Sequence, residues 1–221
     1  MNKTFEEKLR TLASELMKKG DPSHDMMHID RVVSNCKIIA KSYPEADIDI
    51  LISAAYLHDI ISFPKNSDEN AQASKYAADY ARQLMHDIPE FPDTKIDQLA
   101  HVIEAHSYSA QIEAKSIEAA ILQDADRLDA LGATGIARCF IVGGKFASYI
   151  CHPQDPNPMV NQRVLDDKKY IVDHFYKKLL RLEQKMNTGA AKEIASKRVQ
   201  FMQDFLTQFY EEITPGEPVC D

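Results

Sequence analysis

The segment Ile50-Leu51-Ile52-Ser53-Ala54-Ala55-Tyr56-Leu57-His58-Asp59-Ile60-Ile61 constrains this chain more than any other. Wound as a helix, its apolar residues point in nearly every direction, and such a helix has to sit at the centre of a bundle. Its far end nevertheless carries an imidazole beside a carboxylate. Burying that carboxylate uncompensated costs several kcal/mol or forces it neutral. Something positive is expected to meet it: the imidazole in a buried His–Asp hydrogen bond or an arginine in a helix-end salt bridge on the structural reading, or a metal ion at the negative end of the helix dipole. Neighbours on a helix lie about 100° apart, so His58 and Asp59 reach one point only beside their shared edge.

The same helical period runs through most of the chain. It predicts helices over about 4–18, from Asp21-Pro22-Ser23 to Pro44, and over about 48–61, 68–85, 93–107 and 115–131. A segment at 134–148 is interrupted by Gly143-Gly144, and two long amphipathic helices close the chain at about 164–187 and 190–212. Cys151–Gln162, with three prolines, reads as a loop. Alanine outnumbers the strand-favouring valine by 24 to 9, and only 7 glycines and 10 prolines occur in 221 residues. The expectation is an all-α bundle forming one domain over 1–221, with the last two helices packed on it.

A net charge of −8 tells against binding duplex nucleic acid, which takes a basic stripe. No apolar run approaches the ~18 residues of a membrane span, and MNKTFEEKLRTLASELMKKG lacks a signal-peptide core. Cys36, Cys139, Cys151 and Cys220 form no CxxC pair, which fits a reducing compartment. A cytoplasmic protein is expected.

Two more places put charge where a core belongs. In Ile121-Leu122-Gln123-Asp124-Ala125-Asp126-Arg127-Leu128-Asp129, helical spacing sets Asp126 on the core-facing side with Leu122, Ala125 and Asp129, while Asp124 should point away. For Asp124 and Asp129 an ion-pair network through Arg127 explains the density of charge as well as any function does. In His24-Asp25-Met26-Met27-His28, His28 lies one turn before Val32 in a buried stripe. Alone, that phrase resembles a zincin motif with Asp for Glu. Asp21-Pro22-Ser23 puts His24 in the first turn, however, and no third ligand stands out downstream.

Taken together, His28, His58, Asp59 and Asp126 supply two imidazoles and two carboxylates from three helices. Divalent Mn, Fe, Co, Ni or Zn accepts such a mixed shell, and four protein ligands leave positions open for water and substrate. The phrases His28-Ile29-Asp30-Arg31-Val32, Tyr56-Leu57-His58-Asp59-Ile60 and Gln123-Asp124-Ala125-Asp126-Arg127-Leu128-Asp129-Ala130-Leu131-Gly132-Ala133 occur in the order H…HD…D. Here the chain resembles the HD-domain metal-dependent phosphohydrolases, in particular a small stand-alone bacterial branch that includes nucleotide pyrophosphohydrolases. The resemblance covers about residues 20–150.

It implies a helical HD-type bundle with one divalent ion (Mn, Ni, Co, Fe, Zn or Mg) on His28, His58, Asp59 and Asp126. It also implies hydrolysis of a nucleotide phosphoanhydride or phosphoester by metal-activated water, with Asp59 both ligand and catalytic group. Dinuclear relatives add two histidines, but His101 and His106 diverge by about 140° on one helix, which favours a single metal. His106 reads equally as a core histidine and as a pocket residue on phosphate. Lys65, Arg31 and Arg127 are candidate cations for the substrate, each also readable as solvated or structural charge. Asp30 or Asp129 could orient an imidazole. The rival readings are a non-catalytic metal- or nucleotide-binding HD protein and a di-iron HD-fold oxygenase. A homodimer is left open.

Overall fold

A computed structural model of the chain describes residues 1–17, 25–63, 69, 72–107, 112–145 and 149–213. Among them are nine α-helices and no strand, apart from one isolated backbone bridge between Tyr149 and Tyr170. No helix of the described residues is long and apolar enough to cross a membrane. The chain forms two compact units, one of Met1–Leu128 with Asn187–Ala191, the other of Asp129–Met186 with Lys192 onward.

The first unit is built around α3 (Ile48–Leu57), every residue of which from Ile50 to Leu57 is buried. Around it lie α1 (Lys3–Leu16), α2 (Met26–Ala40) and α5 (Ile96–Ala105), and α4 (Ala73–His86) covers α5. Burying each Leu or Ile of this core contributes about 1.5–3 kcal/mol. Asp47 starts α3: its Oδ1 accepts the Asp49 and Ile50 N–H groups at 3.0 and 3.2 Å. A 3₁₀ turn, Asp93–Lys95, leads into α5, and its Lys95 pairs with Asp47 at 2.6 Å.

The central helix stops at Leu57, four residues short of the sequence expectation. The His58 ring donates from Nδ1 to the Ala55 carbonyl at 2.8 Å, and this side-chain bond closes the last turn where a helix would need another backbone N–H. α2 likewise starts later than expected, with Asp25 as its cap accepting the His28 N–H at 3.0 Å. His24 lies outside the described residues. Asp25, which stands for the Glu of a zincin motif, is occupied by this cap.

α6 (Ile117–Asp129) is tied to other elements of the first unit by buried polar bonds. Glu118, 4% exposed, accepts the Asp47 N–H at 2.8 Å and the Gln98 amide at 3.4 Å. Asn35 of α2 donates to the Ala125 carbonyl at 3.1 Å.

In the second unit, α7 (Gly132–Lys145) runs through Gly143-Gly144 without the expected break. A Cβ on Gly143 would lie 2.4 Å from Ile171, so glycine here permits close packing against α8 (Ile171–Lys177). Phe140, Phe175 and Phe205 form an aromatic cluster, the last from α9 (Gly189–Ile213). The helix expected over 164–187 is not continuous. It is reduced to α8 followed by two 3₁₀ turns, Leu179–Arg181 and Glu183–Lys185. The buried Asp173 carboxylate explains the loss of its first part: it takes the Arg163 guanidinium at 2.6 Å and the Asp166 N–H at 2.7 Å, holding 163–166 in a loop.

Candidate metal centre

Two helices of the first unit end in the same device. At the end of α3, His58 donates Nδ1–H to the carbonyl three residues back; at the end of α5, His106 does so to Ile103 at 2.6 Å. Each bond fixes the ring and leaves Nε2 pointing inward. The two rings meet edge to face at 4.8 Å, and His28, fully buried in the first turn of α2, lies 5.5 Å from His58.

Asp59 follows α3 directly and points among these rings. Its Oδ2 is 3.5 Å from His28 Nε2 and 3.7 Å from His58 Nε2, and its Oδ1 is 3.4 Å from His106 Nε2. Asp126 enters from α6, with Oδ1 3.6 Å from His28 Nε2. The donor atoms of His28, His58 and Asp59 all lie within 4.8 Å of one another.

The electrostatics follow from burial and from this crowding. Burial lowers the His58 pKa to about 4, against the opposing pull of Asp59, so its ring is neutral at pH 7. Burial works against ionisation of Asp59, but His58, His106 and His28 outweigh it and hold the carboxyl well below its usual range. For His106 burial opposes protonation, and the adjacent Asp59 reverses the balance and raises its pKa.

The decisive atom is His58 Nε2. It is buried and has no hydrogen-bond partner among the described residues. A buried nitrogen lone pair without a donor is costly unless something electrophilic meets it. The 3.5–3.7 Å between the facing nitrogen and oxygen donors is slightly wider than the ~3–3.5 Å between ligands of a cation held at roughly 2.0–2.2 Å, so small side-chain shifts would close the shell. Two imidazoles with carboxylates are a donor set that divalent transition metals accept. The residues present fit a metal ion.

Other residues singled out from the sequence fall elsewhere. Asp124 does not point away: it is fully buried and accepts the Thr188 N–H and hydroxyl, both at 2.8 Å, and the Asn187 N–H at 2.8 Å. Both carboxylates of the Asp124/Asp126 pair turn inward, towards different partners. Arg127 lies 3.7 Å from Asp124, and Asp129 pairs with Arg138 at 2.5 Å. Asp30 is held by Arg10 through both oxygens at 2.9 and 2.7 Å. Orientation of the His58 and His106 rings falls to the main-chain carbonyls of Ala55 and Ile103. His101 Nε2 accepts the Lys115 N–H at 3.4 Å, and Arg31 is half-buried on α2. Lys65 lies outside the described residues. Asn35 and Gln123, which brace α6 beside the centre, carried no chemical signal in the sequence. Gln123 stands inside the motif, but only its tertiary partners show what it does.

The class this defines is an all-helical fold whose core gathers histidines and carboxylates that could hold a metal ion. The HD domain model matches residues 26–131. YpgQ of Bacillus subtilis is 30% identical over 214 residues, covering 95% of this chain and 94% of YpgQ. Its crystal structure in complex with ADP superposes with a TM-score of 0.72, covering 96% of this chain and 98% of that one. An HD-superfamily hydrolase from Bacillus thuringiensis, 32% identical, superposes with a TM-score of 0.70 over 96% and 98% of the two chains. The chain belongs to the HD-domain family.

Proposed function

We propose that this protein is a divalent-metal-dependent phosphohydrolase acting on a nucleotide phosphoanhydride or phosphoester. The observation that carries the reading is the convergence of His28, His58 and Asp59, with Asp126 alongside, around a buried imidazole nitrogen that lacks a proton donor. Support for a nucleotide comes from the ADP held by YpgQ.

His28, His58, Asp59 and Asp126 would hold the ion. A divalent cation there supplies a Lewis acid and a water acidic enough to give hydroxide near pH 7. The chain's own residues then have separable tasks. The Ala55 and Ile103 carbonyls hold the His58 and His106 rings in place before substrate arrives, so no reorganisation is needed at the moment of reaction. The histidines around Asp59 keep its carboxylate ionised, as a ligand must be. His106, whose Nε2 lies 3.4 Å from Asp59 Oδ1, would hydrogen-bond a phosphate oxygen of the substrate. Arg31, Lys65 and Arg127 are the candidate cations to balance the remaining substrate charge.

The test is a screen of Mn-loaded protein against nucleoside mono-, di- and triphosphates, with products resolved by chromatography and oxygen uptake followed in parallel. Phosphate or pyrophosphate release without oxygen consumption is expected, abolished in Asp59→Ala. Oxygen consumption without phosphate release, or an Asp59→Ala variant as active as wild type, would contradict it.

A further inference from the structure

We infer that Gln123 and Asn187 are positioning residues of this centre, with Asn187 acting through Gln123 on the end of α5 that carries His106. The inference rests on the proposed function for its link to catalysis; the clamp itself stands on geometry alone.

Gln123 is buried, and its Nε2 donates to two carbonyls, Ala105 at 2.7 Å and Ile112 at 3.3 Å. These two acceptors lie on either side of His106. One amide therefore ties the residue before His106 to the segment returning towards α6. With both Nε2 protons directed at carbonyls, Oε1 faces the other way and needs a donor. Asn187 Nδ2 supplies it at 3.0 Å, from 64 positions along the chain. The same Nδ2 group lies 3.0 Å from Asp124 Oδ1, so acceptors on both sides also fix which way the Asn187 amide points.

The backbone N–H groups of Asn187 and Thr188 are anchored on Asp124 in turn. The turn at 187–188 thus grips two consecutive residues of α6, and one of them passes the constraint on to α5. His106 and Asp126, which face the same cluster from α5 and α6, take their spacing from this polar chain as well as from apolar packing. Misplacing a reacting group by about 1 Å costs up to ~100-fold in rate, so a brace of this kind bears on turnover more than on affinity.

Three variants test it: Asn187→Ala, Gln123→Glu and their combination. Gln123→Glu keeps an acceptor for Asn187 and the side-chain length while losing both donated bonds. The first readout is amide hydrogen exchange over residues 103–107 and 112–113 in metal-free protein. Both single variants should exchange about tenfold faster there, and the double variant no faster than Gln123→Glu. The second is Mn-dependent nucleotide hydrolysis, where kcat should fall about tenfold with KM within twofold, again without additivity, since coupled residues share one effect. Unchanged exchange in either single variant, or additive losses in the double, would overturn the inference. An inactive wild type showing the expected exchange pattern would support the clamp and overturn the proposed function.

Discussion

Asp124 and Asp126 stand two residues apart on one helix, and the structure separates their work. Replacing Asp124 by alanine removes the acceptor for the Thr188 N–H, the Thr188 hydroxyl and two groups of Asn187. Thr188 is buried, so its two donors lose their partner with no water to replace it. Each unsatisfied donor costs about 1–3 kcal/mol, or roughly 2–6 kcal/mol for the two. Relief of the carboxylate's own burial, which raises the Asp124 pKa, offsets part of this. The balance is a loss of about 3–4 kcal/mol, close to what breaking a buried polar pair typically costs. At about 2–4 °C per kcal/mol for a chain of this size, the melting temperature should fall by roughly 6–16 °C. Asp126 faces the cluster with 30% of its side chain exposed, and Asp126→Ala should move stability by no more than about 1 kcal/mol while abolishing metal binding. Thermal unfolding by circular dichroism, with Mn titration calorimetry on the same samples, reads both effects. A metal-free Asp124→Ala protein melting within about 2 °C of wild type, with Asp126→Ala the more damaged of the two, would refute the division of labour.

Further outcomes follow from single contacts. Lys95 and the two capped N–H groups hold the Asp47 carboxyl below its usual range against the effect of burial, so its contribution is complete above the unfolded pKa and disappears as pH falls through the lower folded value. Asp47→Ala should therefore cost about 1–2 kcal/mol at pH 7, mostly as a lost helix cap, with the gap to wild type closing in melts taken towards pH 3. Gly132 sits at φ +71°, and its Cβ would meet the Arg198 side chain at 3.2 Å, so Gly132→Ala should destabilise by about 1–2 kcal/mol. A Cβ on Gly144 meets nothing within 4 Å, and Gly144→Ala should instead raise stability by about 0.5–1 kcal/mol. Denaturant titration of the pair checks whether the signs are opposite.

How much of this was legible beforehand depended on whether the information was local. The all-round apolar face of α3 announced a central helix, and its one charged end pointed to the candidate centre. The end point at Leu57 was hidden, because it depends on an imidazole folding back onto Ala55. The helix expected over 164–187 failed for a similar reason: its periodicity was sound, but a buried Asp173 seven to ten positions away takes up Arg163 and the Asp166 N–H. Helical spacing points Asp124 to the wrong side, because it assigns one apolar face whereas α6 is enclosed on more than one. Its acceptor role depends on Asn187 and Thr188, which no local pattern connects to it. His106 lay open between two readings, and its distance to Asp59 places it in the cluster. The roles of Asn35 and Gln123 exist only as tertiary hydrogen bonds.

The central claim is that histidines and carboxylates from separate helices share one divalent cation. Crystals grown with Mn and measured at the manganese absorption edge test it most directly. The account predicts a single anomalous peak within bonding distance of His28 Nε2, His58 Nε2 and carboxylate oxygens of Asp59 and Asp126. An absent peak at saturating Mn, or one bound by other residues with His58 Nε2 left facing protein atoms, would contradict it.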